Sequence, residues 1–281
     1  MALPLAPRVR PSPPLLPELE LDLGTITLCG TSLAARATAF TVPQLDVALD
    51  LGRLVPATAE RSTVLLTHGH LDHLSGVLAY LNLRARFHQG QTTRLWGPLD
   101  VIEPLRQALA VMPGMESVRK RMRLEEVLGT VRPGETVALP HGTARAFAVE
   151  HGVPGLGWAL RRSGEDRPVL VYGGDGATTP FEAAPELLDS GAALVECTFP
   201  EPNRRLVARL SGHAHLLDWV ELAPRLRCDI LILMHLPSLP WAELEILASP
   251  LAEVWPRRLV LWAARDPQDV DLSSADTDPA R

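Results

Sequence analysis

Lysine is nearly missing from this chain: Lys120 is the only one among 27 basic residues, and the remainder are arginine. We read that excess as coding bias, so a phosphate-binding role must be shown locally. Cysteine is scarce as well. Cys29, Cys197 and Cys228 are odd in number and far apart, which argues against a disulfide framework and fits a reducing cytoplasm. No uninterrupted apolar run reaches membrane-spanning length, and the longest candidate, Ile230 to Leu236, is broken by His235. The proline-rich start lacks the long apolar segment of a secretory signal. Positive charge is in deficit, with a formal net charge of −6, which excludes the broad cationic surface most nucleic-acid binders carry. A local basic strip is still allowed. The densest, Arg119 to Arg123, abuts Glu125 and Glu126 and reads as a solvated helix face or a subunit contact before an RNA contact. Aromatics make up 5%, and the six tryptophans form no stacking platform.

What is present suits one globular domain. The 281 residues are 46% hydrophobic and 21% charged, enough for an independent core. Residues 1–17 read as a disordered proline-rich arm, and residues 266–281 as a disordered acidic tail. Between them, 18–265 alternate short apolar runs with turn signals. Strands are predicted at Leu21–Leu28, Ala37–Val42, Leu45–Leu51, Thr63–Thr67, Thr143–Val149, Gly157–Arg162, Pro168–Tyr172, Ala193–Glu196, Asp229–Met234 and Arg258–Trp262. Helices are predicted at Leu74–Leu81, Pro98–Val111, Ala183–Leu188, Leu216–Leu226 and Trp241–Val254. The pattern implies a layered α/β (α+β) domain with functional loops along one edge.

Histidine carries the chemistry. The apolar run Thr63 to Thr67 ends abruptly in His68, His70, Asp72 and His73, four metal-capable side chains just ahead of a helical pattern. Imidazole with carboxylate suits zinc, with manganese and iron next. Four ligands exceed what one catalytic zinc takes, so two metals per chain are implied, and further ligands should stand at other strand ends. Three do: His151 after Thr143–Val149, Asp175 in Tyr172-Gly-Gly-Asp-Gly, and His235 after Asp229–Met234. Each alone has a bland explanation, a turn cap or a structural histidine; the recurrence of strand then ligand is the signal. His88 and His141 have no such setting and are assigned to surface or structure. His215 either assists the site or caps a helix, and Cys197 reads as a small buried hydrophobe.

The segment His68-Gly-His70-Leu-Asp72-His73 resembles the H-x-H-x-D-H signature of the metallo-β-lactamase superfamily, whose fold is a four-layer αβ/βα sandwich. Within it the chain is similar to short-form, plant-type ribonuclease Z enzymes. The similarity rests on Leu45 to Arg53, His151-Gly-Val-Pro-Gly-Leu-Gly-Trp158, Glu196-Cys-Thr-Phe199 and Ser211-Gly-His-Ala-His215, and spans about Leu28 to Trp262. The resemblance implies one metal on His68, His70 and His151, and a second on Asp72, His73 and His235, with Asp175 bridging. It also implies a metal-bound hydroxide as nucleophile, which Asp72 helps to orient, and a Glu196–His213 dyad that protonates the leaving oxygen.

The chain departs from that pattern where substrate is recognised. The stretch between His151 and Asp175 leaves no room for the long substrate-binding insertion of ribonuclease Z. The usual Thr-His-Phe-Ser-x-Arg-Tyr ending is here Met234-His-Leu-Pro-Ser-Leu-Pro240. The expected activity is therefore a dinuclear-zinc phosphodiesterase of ribonuclease Z type, acting on a phosphodiester, RNA included, without a membrane partner and with a homodimer allowed. The alternatives are a small-molecule hydrolase of the same fold (cyclic-nucleotide phosphodiesterase, lactonase or thioesterase) and a non-catalytic RNA-binding member.

Overall fold

The computed structural model describes residues 17–263, so the arm predicted at 1–17, Pro17 apart, and the tail at 266–281 lie outside it. Two seven-stranded sheets dominate, and in both the spatial order follows the chain. The first holds β1 (Leu19–Asp22), β2 (Thr27–Leu33), β3 (Ala37–Val42), β4 (Val47–Leu49), β5 (Thr63–Leu65), β6 (Arg94–Gly97) and β7 (Leu128–Thr130). The second holds β8 (Thr136–Leu139), β9 (Gly142–Val149), β10 (Gly155–Arg162), β11 (Leu170–Tyr172), β12 (Ala192–Glu196), β13 (Ile230–Met234) and β14 (Arg258–Leu261). Each sheet opens with three antiparallel pairings and continues with three parallel ones. The halves mirror each other in topology without any repeat in sequence.

Burial follows from that layering. Ala192-Ala-Leu-Val-Glu196 and Ile230-Leu-Ile-Leu-Met234 are apolar on both faces, as parallel strands covered on both sides must be. Leu194, Ile232 and Met234 join Phe40, Leu49, Leu65 and Trp158 between the sheets. The opposite faces, with Val195, Leu231 and Leu233, pack under Trp219 and Leu251 of the helices Leu216–Leu222 and Trp241–Val254. Val64 and Leu66 pack under Tyr80, Leu81 and Ile102 of the helices Val77–Phe87 and Leu99–Val111. Helix, sheet, sheet and helix therefore stack as the expected four-layer αβ/βα sandwich. No described helix is long and apolar enough to cross a membrane.

Several expected elements are shorter or split. The predicted strand Leu21–Leu28 is a hairpin, β1 and β2, because Gly24 takes a left-handed turn (φ +85°) with Asp22 Oδ1 accepting its N–H. The predicted helix Ala183–Leu188 is a helix at Thr179–Ala183 followed by a 3-10 turn at Pro185–Leu188, split by the proline. Strands β6, β7 and β8 escaped prediction; at three or four residues they show almost no period.

Arg119 to Arg123 begins on the short helix Glu116–Arg121. Arg119 donates to the Leu109 and Met112 carbonyls, Arg121 to Ala85, and Arg123 to Glu126. All three of its arginines are thus spent on the protein itself, in keeping with a helix face.

Candidate metal centre

The carboxyl ends of β4, β5, β9, β11, β12 and β13 meet at one edge of the sandwich and deliver Asp50, His68, His151, Asp175, Glu196 and His235 there. All seven expected ligands fall into two adjoining sets. His68, His70 and His151 form one; Asp72, His73, Asp175 and His235 form the other, with the ligand atoms of each set within 4.8 Å of one another. In the first set, His68 Nε2 and His151 Nε2 each lie 3.1 Å from His70 Nδ1. In the second, Asp175 Oδ2 lies 3.3 Å from His73 Nε2 and 3.1 Å from His235 Nε2, while Asp72 Oδ2 is 3.2 Å from His235 Nε2. The His68 and His73 rings, 4.2 Å apart, join the two sets.

Hydrogen bonds behind the ligands fix which nitrogen each offers, with tautomers assigned from those partners. Asp50 is fully buried and accepts four bonds: Thr67 N–H at 2.8 Å, Thr67 Oγ1 at 2.7 Å, His73 Nδ1 at 2.7 Å and Tyr172 Oη at 2.6 Å. The Thr67 hydroxyl, having given its proton to Asp50, accepts from His68 Nδ1 at 3.0 Å. His151 Nδ1 donates to the Gly212 carbonyl at 2.9 Å, and His235 Nδ1 to Thr198 Oγ1 at 2.9 Å. Each of these four imidazoles turns Nε2 inward. Asp50 (φ +55°) and His235 (φ +54°) hold left-handed backbone without being glycine, strain of the kind retained at functional sites.

Charge within the cluster is skewed to match. Burial, then the charge of His73, pushes His68 down to about 2, so it stands as a neutral imidazole. Burial lowers His151 too, against the pull of the Gly212 carbonyl. Asp72 is held at about 2: burial opposes this, but the His235 hydrogen bond and the His73 and His235 charges prevail. Asp175 lies well below the carboxylate range for the same reasons, burial again opposing. His73 is raised well above its ordinary value despite complete burial, because Asp175 and Asp50 demand positive charge beside them.

This set fits metal ions. His73 Nε2 and Asp175 Oδ1 are buried without a hydrogen-bond partner, a costly state for polar atoms unless a cation meets them. Two Nε2 lone pairs converging on a third imidazole nitrogen pose the same demand. Neutral His68 and His151, ionised Asp72 and Asp175, and a position at His73 where two carboxylates call for positive charge make the donor set expected for zinc, manganese or iron.

Glu196 and His213 lie beside the second set. His213 Nδ1 donates to Glu196 Oε1 at 2.7 Å, and the buried carboxylate also accepts from Gly176, Thr198 and Ala214. The His213 ring sits 4.7 Å from that of His151 and stacks at 13° on that of His235. Burial opposes protonation, but the Glu196 hydrogen bond and charge raise its pKa. His215 is a helix cap: Nδ1 accepts from Leu217 N–H and Nε2 donates to the Glu201 carbonyl. Cys197 is buried, as expected; His88 sits beside Gln91 and His141 is exposed, both away from the cluster.

Sequence reasoning assigned no role to Asp50, Thr67, Tyr172 or Thr198. The first two end apolar strands, the same signal that marked His151 and Asp175.

Gly52 keeps the motif in place. A Cβ there would stand 1.7 Å from the Asp72 carbonyl oxygen, while Leu51 N–H donates to the His73 carbonyl at 2.8 Å. Gly52→Ala must therefore push the short helix Leu71–Leu74 outward. We expect a stability loss of about 3 kcal/mol or more, with weakened metal binding. Thermal unfolding and zinc titration read both, and an unchanged melting point with full metal would refute it.

The beta-lactamase superfamily domain profile matches residues 42–236, a span containing every residue of both ligand sets. The chloroplastic tRNase Z of Arabidopsis thaliana is 23% identical over 251 residues, covering 78% of this chain and 69% of the relative. The ribonuclease Z of Kineococcus radiotolerans is 28% identical over 224 residues, covering 66% and 69%. The metallo-β-lactamase fold protein YhfI of Bacillus subtilis superposes with a TM-score of 0.62 at 16% identity, covering 82% of this chain and 93% of that one. Taken with the two mirrored sheets and the ligand-bearing edge, these matches show that the chain belongs to the beta-lactamase superfamily, as a metal-dependent hydrolase with ribonuclease Z proteins among its relatives.

Proposed function

We propose that this protein hydrolyses phosphodiester bonds at a dinuclear metal centre of ribonuclease Z type. The first ion would be held by His68, His70 and His151, the second by Asp72, His73 and His235, with the Asp175 carboxylate serving both. Two such ions supply an acidified water and neutralise phosphate charge. The rest is the work of the chain. Asp50 and Thr67 orient His73 and His68. Glu196 fixes the His213 ring between His151 and His235 and favours its protonated form. A proton held there is available to an oxygen leaving the phosphate.

The observation that carries this reading is the Glu196–His213 contact at 2.7 Å beside the ligand sets. A poor alkoxide leaving group needs that proton; a thiolate does not, which favours phosphodiesters over thioesters. A tight connection joins β10 to β11, only 163–169. A large polyanion therefore docks through local arginines, so small diesters are favoured where salt is high.

The metal-loaded protein should hydrolyse bis(p-nitrophenyl) phosphate readily. Its kcat/KM on a 3′-extended transfer RNA should fall at least about tenfold between roughly 50 and 200 mM salt, since each phosphate contact acts through counterion release. Salt-insensitive precursor processing would place recognition elsewhere in the chain. Inertness toward every phosphodiester would move the protein to ester or thioester chemistry.

A further inference from the structure

One guanidinium at the rim of the site is ordered but unspent. The 3-10 turn Pro202–Arg204 runs directly into the helix Arg205–Ser211 and lays the Arg204 guanidinium over the ring of Phe199, 4.7 Å from its centroid. That ring meets the His213 imidazole edge to face, with centroids 5.9 Å apart. The neighbouring Arg205 is consumed by Asp218 and Glu221, at 2.6 and 2.7 Å. Arg204 is not. Among the described residues its one charged neighbour is Glu201 at 3.7 Å, beyond hydrogen-bond length, and the side chain is 46% exposed. Its guanidinium makes no hydrogen bond to any described residue.

We propose that Arg204, braced on Phe199, forms a subsite for a second phosphate adjoining the scissile one, on the side of the leaving oxygen. The substrate class is accordingly an oligonucleotide, or a nucleotide diester bearing a neighbouring phosphate, rather than an isolated diester. This rests on the phosphodiesterase reading and on His213 as proton donor.

The physical case has three parts. A guanidinium presents a planar fork of donors matched to phosphate, and stacking on an aromatic face orders it without using any of them. The ordering is settled before substrate arrives, so less side-chain entropy is lost on binding. Location gives the polarity: Arg204 stacks on Phe199, whose ring meets His213, the group from which the leaving oxygen would take its proton. The half-buried Glu201 carboxylate stands 3.7 Å away, too far for a hydrogen bond, and leaves most of the fork open.

Three substrates test this on the metal-loaded protein: bis(p-nitrophenyl) phosphate, a dinucleoside monophosphate, and the same dinucleotide carrying a terminal 5′- or 3′-phosphate. The wild type should favour one phosphorylated form over the plain dinucleotide by about tenfold in kcat/KM, a difference of about 1.4 kcal/mol. Arg204→Ala and Arg204→Gln should collapse that ratio to about one, with the loss in KM. Calorimetric binding of the phosphorylated dinucleotide reads the subsite without turnover, and about tenfold weaker affinity is expected for both variants. An equal fall on all three substrates with a lowered melting point would make Arg204 a structural pin. Unchanged binding in the variants would end the subsite and leave the phosphodiesterase reading intact. Inertness of all three diesters in the wild type would end that reading instead.

Discussion

His213→Ala should lower kcat by about 10²–10⁴ on diesters with a sugar alcohol as leaving group while both metals stay bound. The imidazole is held by Glu196 at 2.7 Å and lies beside the ligand sets, so its removal takes away a proton and not a ligand. On bis(p-nitrophenyl) phosphate the same substitution should cost about tenfold or less, because nitrophenolate leaves without a proton. The contrast between substrates is the informative quantity. His213, Glu196 and His235 are themselves spaced closely enough to hold a cation. If His213→Ala strips metal, that second arrangement is the true one and the dyad is wrong. A uniform rate loss on both leaving groups with metal retained would equally rule out the acid role.

Asp50→Ala should damage both the fold and the centre. Four donors lose their acceptor at once: Thr67 N–H, Thr67 Oγ1, His73 Nδ1 and Tyr172 Oη, all inside the protein. We expect about 3–5 kcal/mol lost in stability, the range for removing one partner of a buried charged network. Zinc affinity should fall about 10–100-fold, because His73 and, through Thr67, His68 lose the bonds that aim them. Tyr172→Phe provides a milder variant in case Asp50→Ala does not fold. It removes one bond of the four and should cost about 1 kcal/mol without altering metal affinity. Melting curves with and without zinc, plus a competing-chelator titration, separate the two effects. An Asp50→Ala protein with wild-type zinc affinity would show that His73 is aimed by packing alone.

How much of this the sequence disclosed varies by residue for physical reasons. The ligands were legible because a strand buried on both faces must be apolar, so a histidine or aspartate at its end stands out. His68, Asp175 and His235 follow that rule, while His151 ends a strand with one exposed face, β9, and stands out less. The layered α/β architecture was legible from the same runs. Asp50 ends such a run too, but its meaning depends on partners far along the chain. His73 lies 23 positions away and Tyr172 lies 122 away, and no local pattern announces either bond. Thr198 is similar, its hydroxyl shared between Glu196 and His235. His215 read ambiguously because a cap and a catalytic histidine look alike before a helix; the Leu217 and Glu201 bonds decide for the cap. The mirrored order of pairing in the two sheets is a property of topology, and leaves no repeat to detect. Short strands such as β7 are held by their neighbours more than by their own pattern.

The central claim is that His68, His70 and His151, with Asp72, His73, Asp175 and His235, hold two ions per chain. Elemental analysis of the purified protein, reconstituted with zinc or manganese and freed of excess metal, tests it most directly. The account predicts two ions per chain in the wild type and a loss of metal together with activity in His68→Ala. At most one ion per wild-type chain after reconstitution would contradict it.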